Sequence, residues 1–267
     1  MKRVSFGFLV LEVMFMAFLC ERALAEEPRT PAADVPFPRP FPFRRDLTAC
    51  LPTTSSAVVG TAAALTNTWG GYDGAARTPL LSVGTELRVL PRVALIGGIT
   101  YTSVNAANPG LRPQLGARVQ LLEQASSGVD TSAALLFRQD RFTSEDGLFQ
   151  GSIAVGRSFG ETSAVVNVVY GQDGEGDDHE GEVRLAGVRR VLGGLHVGIE
   201  GRYMHALAST DPNRAAHGTP SMEAMAGPLI AYTAGNWALV AEVGVSSRRT
   251  SRLETGLAAL TGLGTSF

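Results

Sequence analysis

The sequence predicts an all-β chain that crosses a membrane as an antiparallel up-and-down β-barrel of about twelve strands. Three observations carry this: apolar residues alternate with period two, connections alternate between short and long, and charges avoid the apolar face. The pattern is plainest in residues 80–103. Leu81, Val83, Thr85, Leu87 and Val89 share one face, and Ser82, Gly84, Glu86 and Arg88 share the other. Pro91-Arg92 breaks the run, and Val93, Leu95, Ile99 and Tyr101 resume the apolar face. Successive side chains of a strand point to opposite sides, so this alternation marks strands with one apolar and one polar face.

The same reading runs to the C-terminus. Strands are expected over 55–67, 81–89, 93–101, 112–122, 129–140, 148–158, 162–172, 180–191, 195–205, 221–233, 237–246 and 255–267. Most are close to the roughly 9–11 residues that a tilted strand needs to cross a bilayer. The first is the least marked, being built of small residues. No helical stretch is expected between strands, which excludes a doubly wound α/β fold. The connections 91–92, 159–161, 192–194 and 234–236 are short, and 123–128 is slightly longer. Those at 68–79, 103–111, 141–147, 173–179, 206–220 and 247–254 are longer and more polar. Turns on one side of a membrane and loops on the other give this alternation.

The inner parity carries Glu86, Arg88, Arg118, Asp130, Arg138, Asp140, Glu182, Arg184, Arg190, Glu200, Arg202, Glu223 and Glu242. A lipid-facing Lys or Arg at mid-bilayer costs about 2–4 kcal/mol, so two misplaced charges already threaten such a fold. The exceptions, Arg157 and Arg189, fall at turn ends, where that penalty drops to about 0–1 kcal/mol.

Tyr101, Phe137, Phe149, Tyr170 and Tyr203 lie near the long-loop ends of the apolar face, and Tyr232, Trp237 and Phe267 near the short-turn ends. This is a sparse form of the two interfacial aromatic girdles. Phe267 ends a strand that has Leu257, Ala259, Thr261 and Leu263 on its parity. On this parity pattern and terminal aromatic, residues 55–267 resemble bacterial outer-membrane β-barrel proteins, without pointing to one family among them. The resemblance implies that Phe267 is an assembly signal read by the barrel-assembly machinery, and that outer-membrane lipids surround the barrel. Thr265 departs from the bulky apolar residue often found at its position.

Residues 1–25 read as a signal peptide. Lys2 and Arg3 precede an apolar stretch interrupted by Glu12, and Ala23-Leu24-Ala25 supplies small-x-small cleavage after Ala25. Leu19 before Cys20 disfavours a lipidated cysteine. Cys50 is then the one mature cysteine, so no internal disulfide forms. Residues 26–54 read as a Pro-rich periplasmic extension, in which Pro36, Pro38, Pro40 and Pro42 alternate with Phe37, Arg39, Phe41 and Phe43. A linker is the plain reading, and a tether or plug the sharper one. Charged residues are 18%, and the net charge of −2 offers no basic surface for nucleic acid.

Six arginines and seven acids on the inner parity nearly balance. They suit a passive pore for small hydrophilic solutes. The alternatives are a structural barrel whose lumen is closed by salt bridges, and a membrane-embedded lipid hydrolase. For the last, His196 shares its face with Glu200, and His205 lies near an outer loop, but no GxSxG pattern supplies a nucleophile. No enzyme activity is therefore expected. Asp173, Glu175, Asp177, Asp178 and Glu180 lack the spacing of a calcium loop and read as a solvated acidic loop. No metal or cofactor is expected.

Overall fold

The computed structural model describes residues 63–73, 78–103, 109–139, 147–174, 176, 178–208, 220–234 and 237–266. These form twelve strands: β1 (Ala63–Asp73), β2 (Thr78–Leu90), β3 (Val93–Ser103), β4 (Pro109–Leu122), β5 (Asp130–Gln139), β6 (Gly147–Phe159), β7 (Thr162–Asp173), β8 (His179–Leu192), β9 (Leu195–Ala208), β10 (Met222–Ala234), β11 (Trp237–Arg249) and β12 (Leu253–Ser266). Each is antiparallel to its neighbours in sequence, and β1 pairs with β12, from Ala64 opposite Ser266 to Asp73 opposite Ala258. The sheet is a closed barrel, which leaves no unpaired edge.

Period two in sequence becomes period two in burial. Along β7 the even positions from Thr162 to Tyr170 are exposed and the odd positions from Ser163 to Gly171 are buried. The outward face is apolar and bare. Leu115, Ile199 and Leu257 are 67%, 65% and 71% exposed. A water-soluble protein rarely leaves so continuous an apolar belt uncovered. No helix among the described residues is long and apolar enough to span a bilayer. The inward face mixes apolar residues such as Ile96, Leu136, Val169, Leu229 and Leu260 with the polar residues described below.

The hairpin turns are short where the sequence places them. Gly160 and Gly193 hold positive φ values of 59° and 51° in two of them, a backbone region open to glycine at little strain. The connection between β4 and β5 contains one helical turn, α1 (Gln124–Ser127), where no helix was expected. Its Gln124 side chain is a clamp: Nε2 donates to the Ser158 carbonyl at 2.8 Å, and Oε1 accepts from the Ser158 N–H at 2.7 Å. The Gln124 N–H donates to Asp130 Oδ1 at 2.8 Å.

The first strand departs from expectation. It runs from Ala63 to Asp73, so Thr68-Trp69-Gly70-Gly71-Tyr72, expected in a loop, lies in a strand. Glycine-rich sequence has weak strand preference, but here it is paired on both sides, with β2 and with the closing strand β12. The signal peptide, the Pro-rich extension, Asp140 and Phe267 lie outside the described residues.

Candidate functional site

The inward face of β8–β11 carries a chain of charges. Arg184 on β8 is directly opposite Arg202 on β9. Two adjacent guanidinium groups repel unless a carboxylate lies between them. Glu182, one inward step along β8, does this. Arg184 donates to it through Nε and Nη2, both at 2.7 Å, and Arg202 Nε lies 2.5 Å from its Oε1. Arg202 Nη2 donates to Glu223 Oε2 on β10 at 3.1 Å, and Arg248 Nε on β11 lies 3.7 Å from Glu223 Oε1. Arg184 is 0% exposed, Glu182 2% and Arg202 4%.

A second pair crosses β3. Arg118 on β4 is opposite Ala94, whose short side chain lets the guanidinium pass over β3 to Glu86 on β2. Glycines make room for other long inward groups. Gln114 lies over its partner Gly98, and Glu180 over its partner Gly171, where a methyl group would stand 2.7 Å and 2.8 Å from the respective side chains. Arg138, Gln120, Gln150, Asn167, His196, Glu200 and Glu242 are also buried on this face. Neither the amide atoms of Gln150 and Asn167 nor the carboxylate oxygens of Glu242 have a hydrogen-bond partner within the protein.

Three residues expected in the lumen lie at its turn-side rim instead. Arg88 is exposed. Asp130 is half-buried and bonds the first turn of α1. Arg190 pairs with Glu161 in the β7 turn, with Nη2 donating to Oε1 at 2.7 Å. These residues keep the expected parity, but their strands end beside them, so water reaches their side chains. The hydrogen bond from Arg190 holds the Glu161 carboxyl below its ordinary range. Arg157 faces outward at its turn end and lies 4.7 Å from the Phe159 ring centre.

The two histidines weighed for catalysis differ in placement, His196 on the inward face and His205 on the outward one. His196 is buried, with Nδ1 unbonded, whereas His205 is exposed and stacks on Tyr203 at 6.4 Å. Among the described residues no cluster of three acidic, histidine or cysteine side chains suits a metal ion. Sequence reasoning missed Arg248, because the β11 strand was ended at Ser246, and took Glu180 for a loop acid. Parity with Glu242 finds the first, and parity with Glu182 the second.

No family model and no curated protein matches the chain. Solved structures do match in fold. The NanC porin superposes with a TM-score of 0.55 at 9% identity, covering 76% of this chain and 100% of that one. The KdgM porin in complex with disordered oligogalacturonate gives 0.53 at 11% identity, covering 76% and 98%. At such identities the likeness establishes the fold alone, a closed antiparallel β-barrel.

Proposed function

We propose that this chain is an outer-membrane barrel forming a narrow passive pore for small hydrophilic solutes. One observation carries the reading: the inward face of β4–β11 is lined with charges and amides while the outward face is apolar. A barrel serving only as a lipid-embedded scaffold has no need of so many polar groups inside. The likeness to two porin structures supports it. Hydrolysis is not part of the reading, since His205 is occupied by Tyr203 stacking and no nucleophile motif accompanies it.

A second reading rests on the near-complete burial of Arg184, Glu182 and Arg202. It takes the charge chain as a strut that closes the lumen. Reconstitution in planar lipid bilayers separates the two. The pore reading expects discrete conductance steps from heat-modifiable, correctly folded protein. Electrically silent folded protein would leave the closed barrel.

A further inference from the structure

We propose that Arg157 and Arg189 form a site on the outward face for the phosphate of an anionic phospholipid in the turn-side leaflet. The inference rests on the outer-membrane reading and concerns the lipid-facing wall, not the lumen.

Among the described residues, these two arginines are the charges that strand parity turns outward at the turn-side ends, and both are exposed. A cation is costly in hydrocarbon, so each belongs in the headgroup layer, which a long side chain reaches by extending along the wall. Arg157 does this. Its guanidinium lies over the Phe159 ring, 4.7 Å from the centre, and so leans towards the turn.

The register makes this group level with Arg189. Phe159 on β6 is opposite Thr162 on β7, and Thr162 is opposite Arg189 on β8. The two cations therefore flank Thr162, which is exposed and whose hydroxyl can donate to an oxygen held between them. One outward step deeper, Arg157 is opposite Ala164, and Ala164 is opposite Gly187. A methyl group at Gly187 would meet nothing nearer than the Ser163 carbonyl oxygen, at 3.9 Å. The wall is thus shallow between the arginines. Glu161 in the adjoining turn feels Arg189 through space, but both its oxygens are bonded by Arg190. Two guanidinium forks and a hydroxyl suit a phosphate group.

The apolar half of the ligand also has a place. Val155, Val166 and Leu185 lie in register one step deeper on the same three strands, and are 42%, 46% and 48% exposed. Acyl chains cover this strip while the head meets the arginines. A soluble anion would leave it bare, so the charge and the apolar strip together select an amphiphile with a negative head.

The test is native mass spectrometry of the full chain released from detergent, with phosphatidylglycerol or phosphatidylcholine of the same acyl chains added. The wild type should retain phosphatidylglycerol more strongly. Arg157→Gln and Arg189→Gln should each weaken that preference about fivefold, the effect of one cation at an anionic lipid surface. Arg249→Gln removes an exposed outward arginine at the long-loop end of β11 and should leave the preference unchanged. Equal retention of the two lipids by the wild type overturns the proposal, and so does a preference that persists in the double variant. If the double variant fails to assemble, the single variants decide. Displacement of the lipid by excess inorganic phosphate also overturns it, by making the site one for a free anion. Folded chain recovered without detergent fails the membrane reading itself. That outcome is distinct from a detergent-solubilised barrel without lipid preference.

Discussion

Arg184 and Glu182 stand two residues apart on β8 and meet in a two-pronged bond, Nε to Oε1 and Nη2 to Oε2, both at 2.7 Å. Alternate residues of a strand share a face about 6.6 Å apart, within the reach of a planar guanidinium lying along the wall. Arg202 comes to the same carboxylate from β9 and continues to Glu223.

The sharing ranks two substitutions. Arg202→Ala takes a partner from both Glu182 and Glu223. Arg184→Ala leaves Glu182 with Arg202. Removing one member of a buried pair costs about 3–5 kcal/mol because a charge is left unpaired in a dry place. Arg202→Ala is therefore expected near that range, with a smaller loss for Arg184→Ala, by urea unfolding in detergent micelles. If water fills the lumen around these groups, both losses shrink to about 0–1 kcal/mol, as for surface pairs.

Gly198 should not tolerate alanine. It is opposite Val188, and a methyl group there would press on the Gly187 carbonyl oxygen and stand 2.7 Å from Val188 Cγ1. Backbone cannot step aside as a flexible side chain can. Gly198→Ala is expected to lose about 1–3 kcal/mol through overpacking. Gly151, where nothing lies within 4 Å, provides the contrast: Gly151→Ala should be near neutral in the same unfolding measurement.

The Glu161–Arg190 pair gives a pH dependence with a definite sign. Arg190 lowers the Glu161 carboxyl pKa in the folded state. Such a group contributes stability that is present above the unfolded carboxyl pKa and lost as pH falls through the folded value. The pair is exposed, so solvent and salt keep the contribution small. Carboxyl titration by NMR in detergent should place Glu161 below an ordinary glutamate, and Arg190→Ala should return it. An unmoved titration in that variant would refute the pairing.

Much of the barrel was legible because each strand faces two environments, so parity alone fixes its sides. Residues 148–158 were expected and Gly147–Phe159 is found; residues 195–205 were expected and Leu195–Ala208 is found. The first strand was expected to end at Asn67, and its second half was not legible, since Trp69-Gly70-Gly71-Tyr72 carries no alternation and is drawn into the sheet by pairing with β2 and β12. Parity placed Arg118 and Glu182 inward but could not say which charge meets which. That depends on stagger between strands: Arg118 reaches Glu86 only because Ala94 lies between them, and Glu182 serves two arginines only because Arg184 and Arg202 are in register. Arg88, Asp130 and Arg190 have inward parity yet lie at the rim, because parity carries no information about depth.

The outward face provides the sharpest test of the membrane environment. Val168 and Thr162 are both exposed on the same side of β7, Val168 at mid-strand and Thr162 beside the turn to β6. In a bilayer, Val168→Lys puts a charge in hydrocarbon and should lose about 2–4 kcal/mol. Thr162→Lys lies at the interface, where the loss is about 0–1 kcal/mol. In water neither substitution should matter, since both positions are solvated and surface changes stay within about 0.5 kcal/mol. Folding into liposomes, followed by heat-modifiable gel migration across a urea series, reads the difference. Equal behaviour of the two variants would remove the bilayer from the account and leave a barrel whose apolar belt faces something else.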